Sequence, residues 1–321
     1  MESNKHGIIL FNMGGPEKLD DVRAFLYNLF SDRDIIRLGP PFLQKLIAYS
    51  IARKRAPKSR SIYSKIGGRS PLKQITSAQA AALSSVLNKT ETDSYVVTIA
   101  MRYWPPYADA AITELLAQGV DQITALTLYP HYSRATTGSS VSQLKKAIAR
   151  LAPSIRTRYI EEWPEQPSFI KALAENITSG LAESNAEPTQ VVYSAHSLPS
   201  SFIEEGDPYV EHLMRTIQAV EKITQIKGRL CYQSRSGPVE WLSPSTPDTI
   251  EILAKEGCKN ILMVPISFVS DHVETLYEID ILYRQQAEEL GMTLTSSASM
   301  NTKPLFIEGL RQLVVQGSSE N

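Results

Sequence analysis

The chain has 321 residues, 33 Lys and Arg against 34 Asp and Glu, and a formal net charge of −1. So balanced a charge makes no global electrostatic case for nucleic acid as a partner. Two cysteines, Cys231 and Cys258, are too few for a disulfide framework or an all-cysteine iron–sulfur cluster, and they fit a reducing, cytoplasmic compartment.

The polar start, 1–6, runs straight into the apolar stretch 7–11, which reads as a first strand and not as a secretory leader. Asn176-Ile177-Thr178 then matches the glycosylation pattern by chance. The first strand, 8–12, ends at the turn Gly14-Gly15-Pro16. Val22, Phe25, Leu26, Leu29 and Phe30 follow at helical spacing. Further strands are expected at 95–100, 122–128, 155–159, 190–194, 228–232, 260–264 and 292–295. Helices are expected within 70–87, 108–116, 140–151, 167–182, 208–226, 247–256 and 273–290, with a last one at 304–315. No run of about eighteen apolar residues suits a membrane span.

Strands alternating with helices predict an α/β protein with two Rossmann-like domains, each an open parallel sheet flanked by helices. Pro153, Pro164 and Pro167 interrupt the pattern. The expected division is 1–155, then 156–303, with 304–321 packing back on the body as a closing helix. No short-period repeat is visible. In such folds ligands bind beyond the carboxyl ends of the strands, where the informative residues fall.

The strand Val191-Val192-Tyr193-Ser194-Ala195 delivers His196 into the loop Ser197-Leu198-Pro199. A neutral imidazole there can accept a proton or bind a metal. Taken alone, it also reads as a hydrogen-bonded loop histidine. A second strand end, Val264-Pro265-Ile266-Ser267-Phe268, feeds a helix that starts with Asp271, His272, Glu274 and Glu278. The three acids, spaced by three and four, share one face of an α-helix, while Leu276, Ile279 and Tyr283 lie on others. Their alternative is a capped helix with acids at its positive end. Imidazole and carboxylate together suit a divalent transition metal better than calcium.

Arg235-Ser236-Gly237-Pro238-Val239-Glu240-Trp241-Leu242 places an indole where it can pack on a planar ligand or cover the core. Met101-Arg102-Tyr103-Trp104 and Tyr129-Pro130-His131-Tyr132 are aromatic strand ends. Thr136-Thr137-Gly138-Ser139-Ser140 opens a helix whose free N–H groups can meet an anion such as a propionate, or simply be capped. Asn12-Met13-Gly14-Gly15-Pro16 lacks the spacing of a dinucleotide fingerprint. In 41–65, Phe42, Leu43, Leu46, Ile47 and Ile51 form an apolar stripe beside Lys45, Arg53, Lys54, Arg55, Lys58 and Arg60. This basic segment suits an anionic membrane surface, or a helix packed on the core with a solvated basic end.

Over nearly its whole length the chain resembles the ferrochelatases. The motifs that carry the resemblance are Asn12-Met13-Gly14-Gly15-Pro16, Ile66-Gly67-Gly68-Arg69-Ser70-Pro71, Thr136-Thr137-Gly138-Ser139-Ser140, Ser194-Ala195-His196-Ser197-Leu198-Pro199 and Ser270-Asp271-His272-Val273-Glu274-Thr275-Leu276-Tyr277-Glu278. The resemblance implies a lyase of haem biosynthesis that inserts ferrous iron into protoporphyrin IX in a cleft. It implies that His196 and Glu274 face each other there as catalytic and metal-binding residues, with Asp271, His272 and Glu278 in support. It places Met13, Arg102, Tyr103 and Trp241 on the porphyrin wall, and makes the basic segment a lip touching the inner face of the membrane. Iron is then a substrate, no cofactor stays bound, and no iron–sulfur cluster is expected, since the cysteines that carry one in some relatives are missing. One departure is Leu282, which stands where many relatives continue an acidic path beyond Glu278; a path here is shorter or uses Asp280. Left open are a cobalt or nickel chelatase, a more carboxylated porphyrin, and a tetrapyrrole carrier without catalysis.

Overall fold

A computed structural model describes residues 5–91, 93–184, 188–235, 237 and 239–316. The first four residues, Ser236 and Pro238 of the tryptophan loop, and 317–321 of the closing segment lie outside the described residues.

The chain divides into two units, one of which runs to Trp163 and resumes at Ile307, while Pro164–Phe306 forms the other. The first holds β1 (Lys5–Asn12), β2 (Ser94–Met101), β3 (Gln122–Thr127) and β4 (Arg156–Ile160), in the order β2-β1-β3-β4 and parallel throughout. The second holds β5 (Thr189–His196), β6 (Gly228–Gln233), β7 (Asn260–Pro265) and β8 (Thr293–Ser296), in the order β6-β5-β7-β8 and again parallel. One topology is thus used twice, a repeat the sequence shows only as an α/β rhythm. Because β4 pairs with β3, the strand expected at 155–159 extends the first sheet, and the division falls at Pro164 where the sequence reading put it at 156.

β1 and β5 are the central strands, so helices cover both faces and their side chains are buried almost without break. One core cluster of the first unit joins Ile9, Phe11 and Ala125 to Ile112, Leu115, Val141 and Leu144 on the neighbouring helices. The matching cluster of the second joins Val192 and Met263 to Ile250, Leu253, Ile279 and Tyr283. A Cβ on Gly228 would stand 2.4 Å from the Tyr193 ring, so only glycine lets β6 begin alongside β5 at that point. In each sheet the strand order reverses beside the central strand, which opens a crevice at the carboxyl ends.

The expected helices form. The segment 41–65 becomes the helix Gln44–Ser64, which buries Ala48, Ala52 and Ala56 at i, i+4 spacing. The large apolar residues at its start face out: Phe42 is 81% and Leu46 68% exposed. The closing helix, Pro304–Gln316, is tied to the first unit where Arg158 of β4 donates to the Leu313 and Val314 carbonyls at 2.9 Å each.

Candidate active site

Two adjacent strands of the second unit deliver the central pair. His196 is the last residue of β5, and the chain leaving β7 turns through Ser267 and Phe268 into Glu274. His196 Nδ1 lies 2.9 Å from Glu274 Oε1, with the Glu274 side chain 11% exposed and that of His196 32% exposed. The resemblance put these two face to face; they are in direct hydrogen-bond contact within one unit.

From Glu274 to Tyr283 the helix is a π-helix, and it tightens to α only at Arg284. The wider π turn is uncommon and concentrates at functional sites. It keeps Glu274 and Glu278 together: Glu278 Oε2 accepts from Ser234 Oγ at 2.6 Å, one residue past the end of β6. Gln233 ends β6 opposite His196 in register and donates from Nε2 to Glu274 Oε2 at 3.2 Å. Ser194 Oγ in turn donates to the Gln233 side-chain oxygen Oε1. Neither Gln233 nor Ser234 was singled out in the sequence. Their signal is position alone, as polar residues that end a strand paired with β5.

His272 is buried, with Nδ1 3.1 Å from the Ser270 carbonyl, which accepts its proton. That tautomer leaves Nε2 bare, 3.9 Å from Glu274 Oε2, with no hydrogen-bond partner among the described residues. The Phe268 ring packs 4.2 Å from the His272 ring and 6.1 Å from that of His196.

Asp271, expected on the face of Glu274 and Glu278, lies just before the helix and is spoken for elsewhere. It accepts from Ser299 Oγ at 2.6 Å and Asn301 Nδ2 at 2.8 Å, while its N–H donates to Asn301 Oδ1 at 3.0 Å. The expectation assumed α periodicity starting at Asp271, whereas the chain there is still loop. Asp280, the alternative for an acidic path, accepts from Ser296 Oγ at 2.5 Å and pairs with Arg284 at 3.6 Å.

The charges follow from these contacts. Burial works against ionised Glu274, but the His196 charge and hydrogen bond, with His272 and Gln233, pull its carboxyl down to about 2. Burial also opposes a charged His196, yet Glu274, aided by Glu278, outweighs it and leaves the imidazole more basic than usual. Glu278 is pushed up to about 7 by burial and then by the Glu274 charge. Burial holds His272 below the ordinary histidine value, hence neutral. The set can hold a cation at carboxylate and imidazole and take up protons close to neutrality. Among the described residues no group of three or more His, Cys, Asp or Glu is arranged as a metal-holding cluster.

Trp241 also belongs to the second unit. It bridges Pro199 in an antiparallel pair, and Leu242 N–H donates to the Leu198 carbonyl at 3.0 Å, so the indole segment lines the loop that follows His196. Its Nε1 is buried without a partner among the described residues.

Met13, Arg102 and Tyr103 gather in the first unit, at the carboxyl ends of β1 and β2, where Tyr103 N–H donates to the Met13 carbonyl at 2.9 Å. Their organiser is Asp32, which the sequence reading missed. Asp32 Oδ2 accepts from Arg102 Nη2 at 2.7 Å, Tyr103 OH at 2.7 Å and Ser139 Oγ at 2.5 Å. Burial raises its pKa, but Ser139, Arg102 and Tyr103 together carry it below the usual range. Ser139, from the candidate anion segment, is therefore bound to a carboxylate, and the helix cap is Ser133, whose Oγ accepts from Ala135 N–H at 3.2 Å.

The structure of SirB from Bacillus subtilis with Fe3+ aligns over 99% of this chain and 98% of its own, at TM-score 0.56 and 13% identity. CbiX, described as the terminal enzyme for biosynthesis of siroheme in denitrifying bacteria, aligns over 98% and 99% at TM-score 0.53 and 13% identity. At such identities the likeness concerns the fold. In sequence, the chain is 60% identical to a ferrochelatase of Desulfotalea psychrophila over 318 residues, 99% of both chains. It is 49% identical to that of Geotalea uraniireducens over 97% of both, and 43% identical to that of Gloeothece citriformis over 98% of this chain and 83% of the relative. With the ferrochelatase family model matched over residues 5–318 as well, the chain belongs to the ferrochelatases, lyases that insert metal into porphyrin in haem synthesis.

Proposed function

We propose that the chain inserts Fe2+ into protoporphyrin IX, releases two protons, and does so with His196 and Glu274 as the catalytic and metal-handling pair. The carrying observation is the 2.9 Å contact between an imidazole and a buried, ionised carboxylate at the ends of neighbouring strands. Metalation requires iron to shed water, two pyrrole N–H protons to leave, and a flat macrocycle to bend. A ferrous ion arriving at Glu274 shares the carboxylate's charge, and His196, a third exposed, then loses the partner that keeps it protonated and releases its proton to water. The freed imidazole is a base in place for a pyrrole proton. Glu278, titrating near neutrality beside Ser234, passes protons on, and the bare Nε2 of His272 adds a nitrogen next to Glu274. In this reading Met13, Arg102 and Tyr103 of the first unit contact porphyrin, and so does Trp241 of the second. No resident cofactor or iron–sulfur cluster takes part, because iron enters as substrate, and no nucleic acid is involved.

We further propose that Phe42 and Leu46, exposed beside Lys45 and the basic helix Gln44–Ser64, meet the anionic inner face of a membrane from the cytoplasm. No helix among the described residues is long and apolar enough to cross one.

The test is to mix protein, protoporphyrin IX and Fe2+ without oxygen and follow the porphyrin spectrum. Wild type converts it to haem; His196→Ala binds porphyrin, seen by quenched fluorescence, but does not metalate it. Substantial turnover by His196→Ala refutes the assignment.

A further inference from the structure

β7 stops pairing with β5 before the ladder reaches His196. The last pair is Ser194 with Pro265, closed by Ile266 N–H donating to the Ser194 carbonyl at 3.1 Å. Strand groups alternate sides, so the N–H and C=O of His196 point to where β7 has already turned away. Buried backbone groups need partners, and two side-chain hydroxyls supply them. His196 N–H donates to Ser267 Oγ at 2.8 Å, and Tyr209 OH donates to the His196 carbonyl at 3.0 Å. The hydroxyls themselves are 2.7 Å apart. Tyr209 has given its proton to the carbonyl, so Ser267 donates to Tyr209. The ring closes in one direction: His196 N–H to Ser267, Ser267 to Tyr209, Tyr209 back to His196. Such a chain strengthens each of its bonds.

Tyr209 is itself fixed. It is the first residue of the helix Tyr209–Thr224, its N–H donates to Asp207 Oδ1 at 3.1 Å, and it is 5% exposed. Burial keeps the phenol protonated far beyond its ordinary range, so it remains a donor.

We infer that Tyr209 and Ser267 are positioning residues: by gripping both backbone groups of His196 where the sheet opens, they hold its imidazole at the Glu274 distance that metalation requires. The inference rests on the role proposed above for His196, and acts through its backbone.

Tyr209→Phe, Ser267→Ala, the double variant and His196→Ala in the full chain test it, with kcat, KM for protoporphyrin and Fe2+, and hydrogen exchange of the His196 amide. Each single variant should lower kcat about 10–100-fold while both KM values stay within about twofold, because a displaced group costs rate and not binding. The His196 amide should exchange faster in each. The double variant should be about as slow as either single, since one missing hydroxyl already opens the ring. Unchanged kcat in both singles with His196→Ala inactive overturns the inference. So does a double variant whose loss is the product of the singles. An active His196→Ala overturns the reading beneath it and the inference with it, and the amide rates, which report the ring without turnover, separate these failures.

Discussion

His196 and Gln233 are register partners across β5 and β6, and both of their side chains reach Glu274, one at each carboxylate oxygen. The carboxylate is therefore held from two strands at once, and the backbone step that ends both strands sets its orientation. Groups that orient a metal-handling side chain from behind typically change affinity or activity about 10–100-fold when removed. Gln233→Leu keeps the volume, deletes the amide donor and leaves Ser194 Oγ with only its 3.5 Å contact to Thr246 Oγ1. It should raise the apparent KM for Fe2+ within that range and leave porphyrin affinity, read by fluorescence quenching, near wild type.

Asp271 has a different assignment from its neighbours. With Asn301 it makes a reciprocal pair of hydrogen bonds that ties the loop after β8 to the start of the π-helix, at a point where Asn301 adopts φ +41°. Asp271→Ala removes the carboxylate that accepts from Ser299 and Asn301 and should cost about 1–3 kcal/mol in denaturant unfolding. Turnover at a temperature where the variant is folded should fall far less than in His196→Ala. An inactive variant with an unshifted unfolding midpoint would return Asp271 to the support of His196 and Glu274.

Eight strands and the parallel sheets were legible from short apolar runs alternating with 3.6-residue periodicity, while the His196–Glu274 pairing came from the family resemblance and not from spacing. What escaped depends on register and helix pitch. Gln233 matters because β6 lies beside β5 in one particular alignment, and no local pattern encodes that. Asp271 was misplaced because an α repeat was extended through a loop and a π-helix. Asp32 was invisible because the residues it organises arrive from 70, 71 and 107 positions away. Phe42 and Leu46 read as one side of an amphipathic stripe, yet Phe42 precedes the helix Gln44–Ser64 and small alanines supply that helix's packed face.

Asp32 carries the second polar centre. Its carboxylate is 7% exposed and balances Arg102, itself 19% exposed. Removing one partner of such a pair leaves an uncompensated charge, for which about 3–5 kcal/mol is usual when burial is complete. The residual exposure of Arg102 reduces that, so Asp32→Ala should cost about 2–3 kcal/mol in chemical unfolding. Asp32→Asn retains an acceptor oxygen for Tyr103 and Ser139 and should recover part of the loss. A variant whose porphyrin KM rises well before its stability falls would tie Asp32 to the porphyrin contacts proposed for Arg102 and Tyr103.

For the apolar lip, Phe42→Ser with Leu46→Ser removes two solvent-facing side chains with no core to disturb. Cosedimentation with vesicles containing about one third anionic lipid should drop several-fold at physiological salt, and less at low salt, where the intact basic helix contributes most. Equal binding by wild type and the double variant would remove the lip from the account.

The site also makes stability depend on pH, with opposing signs. Glu274, lowered from 4.5 to about 2, contributes stability that is complete above about pH 4.5 and disappears as pH falls towards 2. His196, raised above 6.5, contributes below that value and loses its contribution as pH climbs through its folded pKa. Glu278 is an acid raised from 4.5 to about 7. Below about pH 4.5 both folded and unfolded chains hold its proton and it has no effect. Between 4.5 and 7 the unfolded chain releases the proton while the folded chain keeps it, so stability declines as pH rises; above 7 the loss is complete. Wild type should therefore lose stability between pH 5 and 8. Glu278→Gln cannot ionise, and its amide oxygen still accepts from Ser234. Its Tm should match wild type near pH 4.5 and exceed it increasingly up to pH 8, with a smaller residual slope due to His196. A Tm difference that does not change between pH 5 and 8 would mean that Glu278 ionises at an ordinary carboxylate pKa, and would remove it from the proton path.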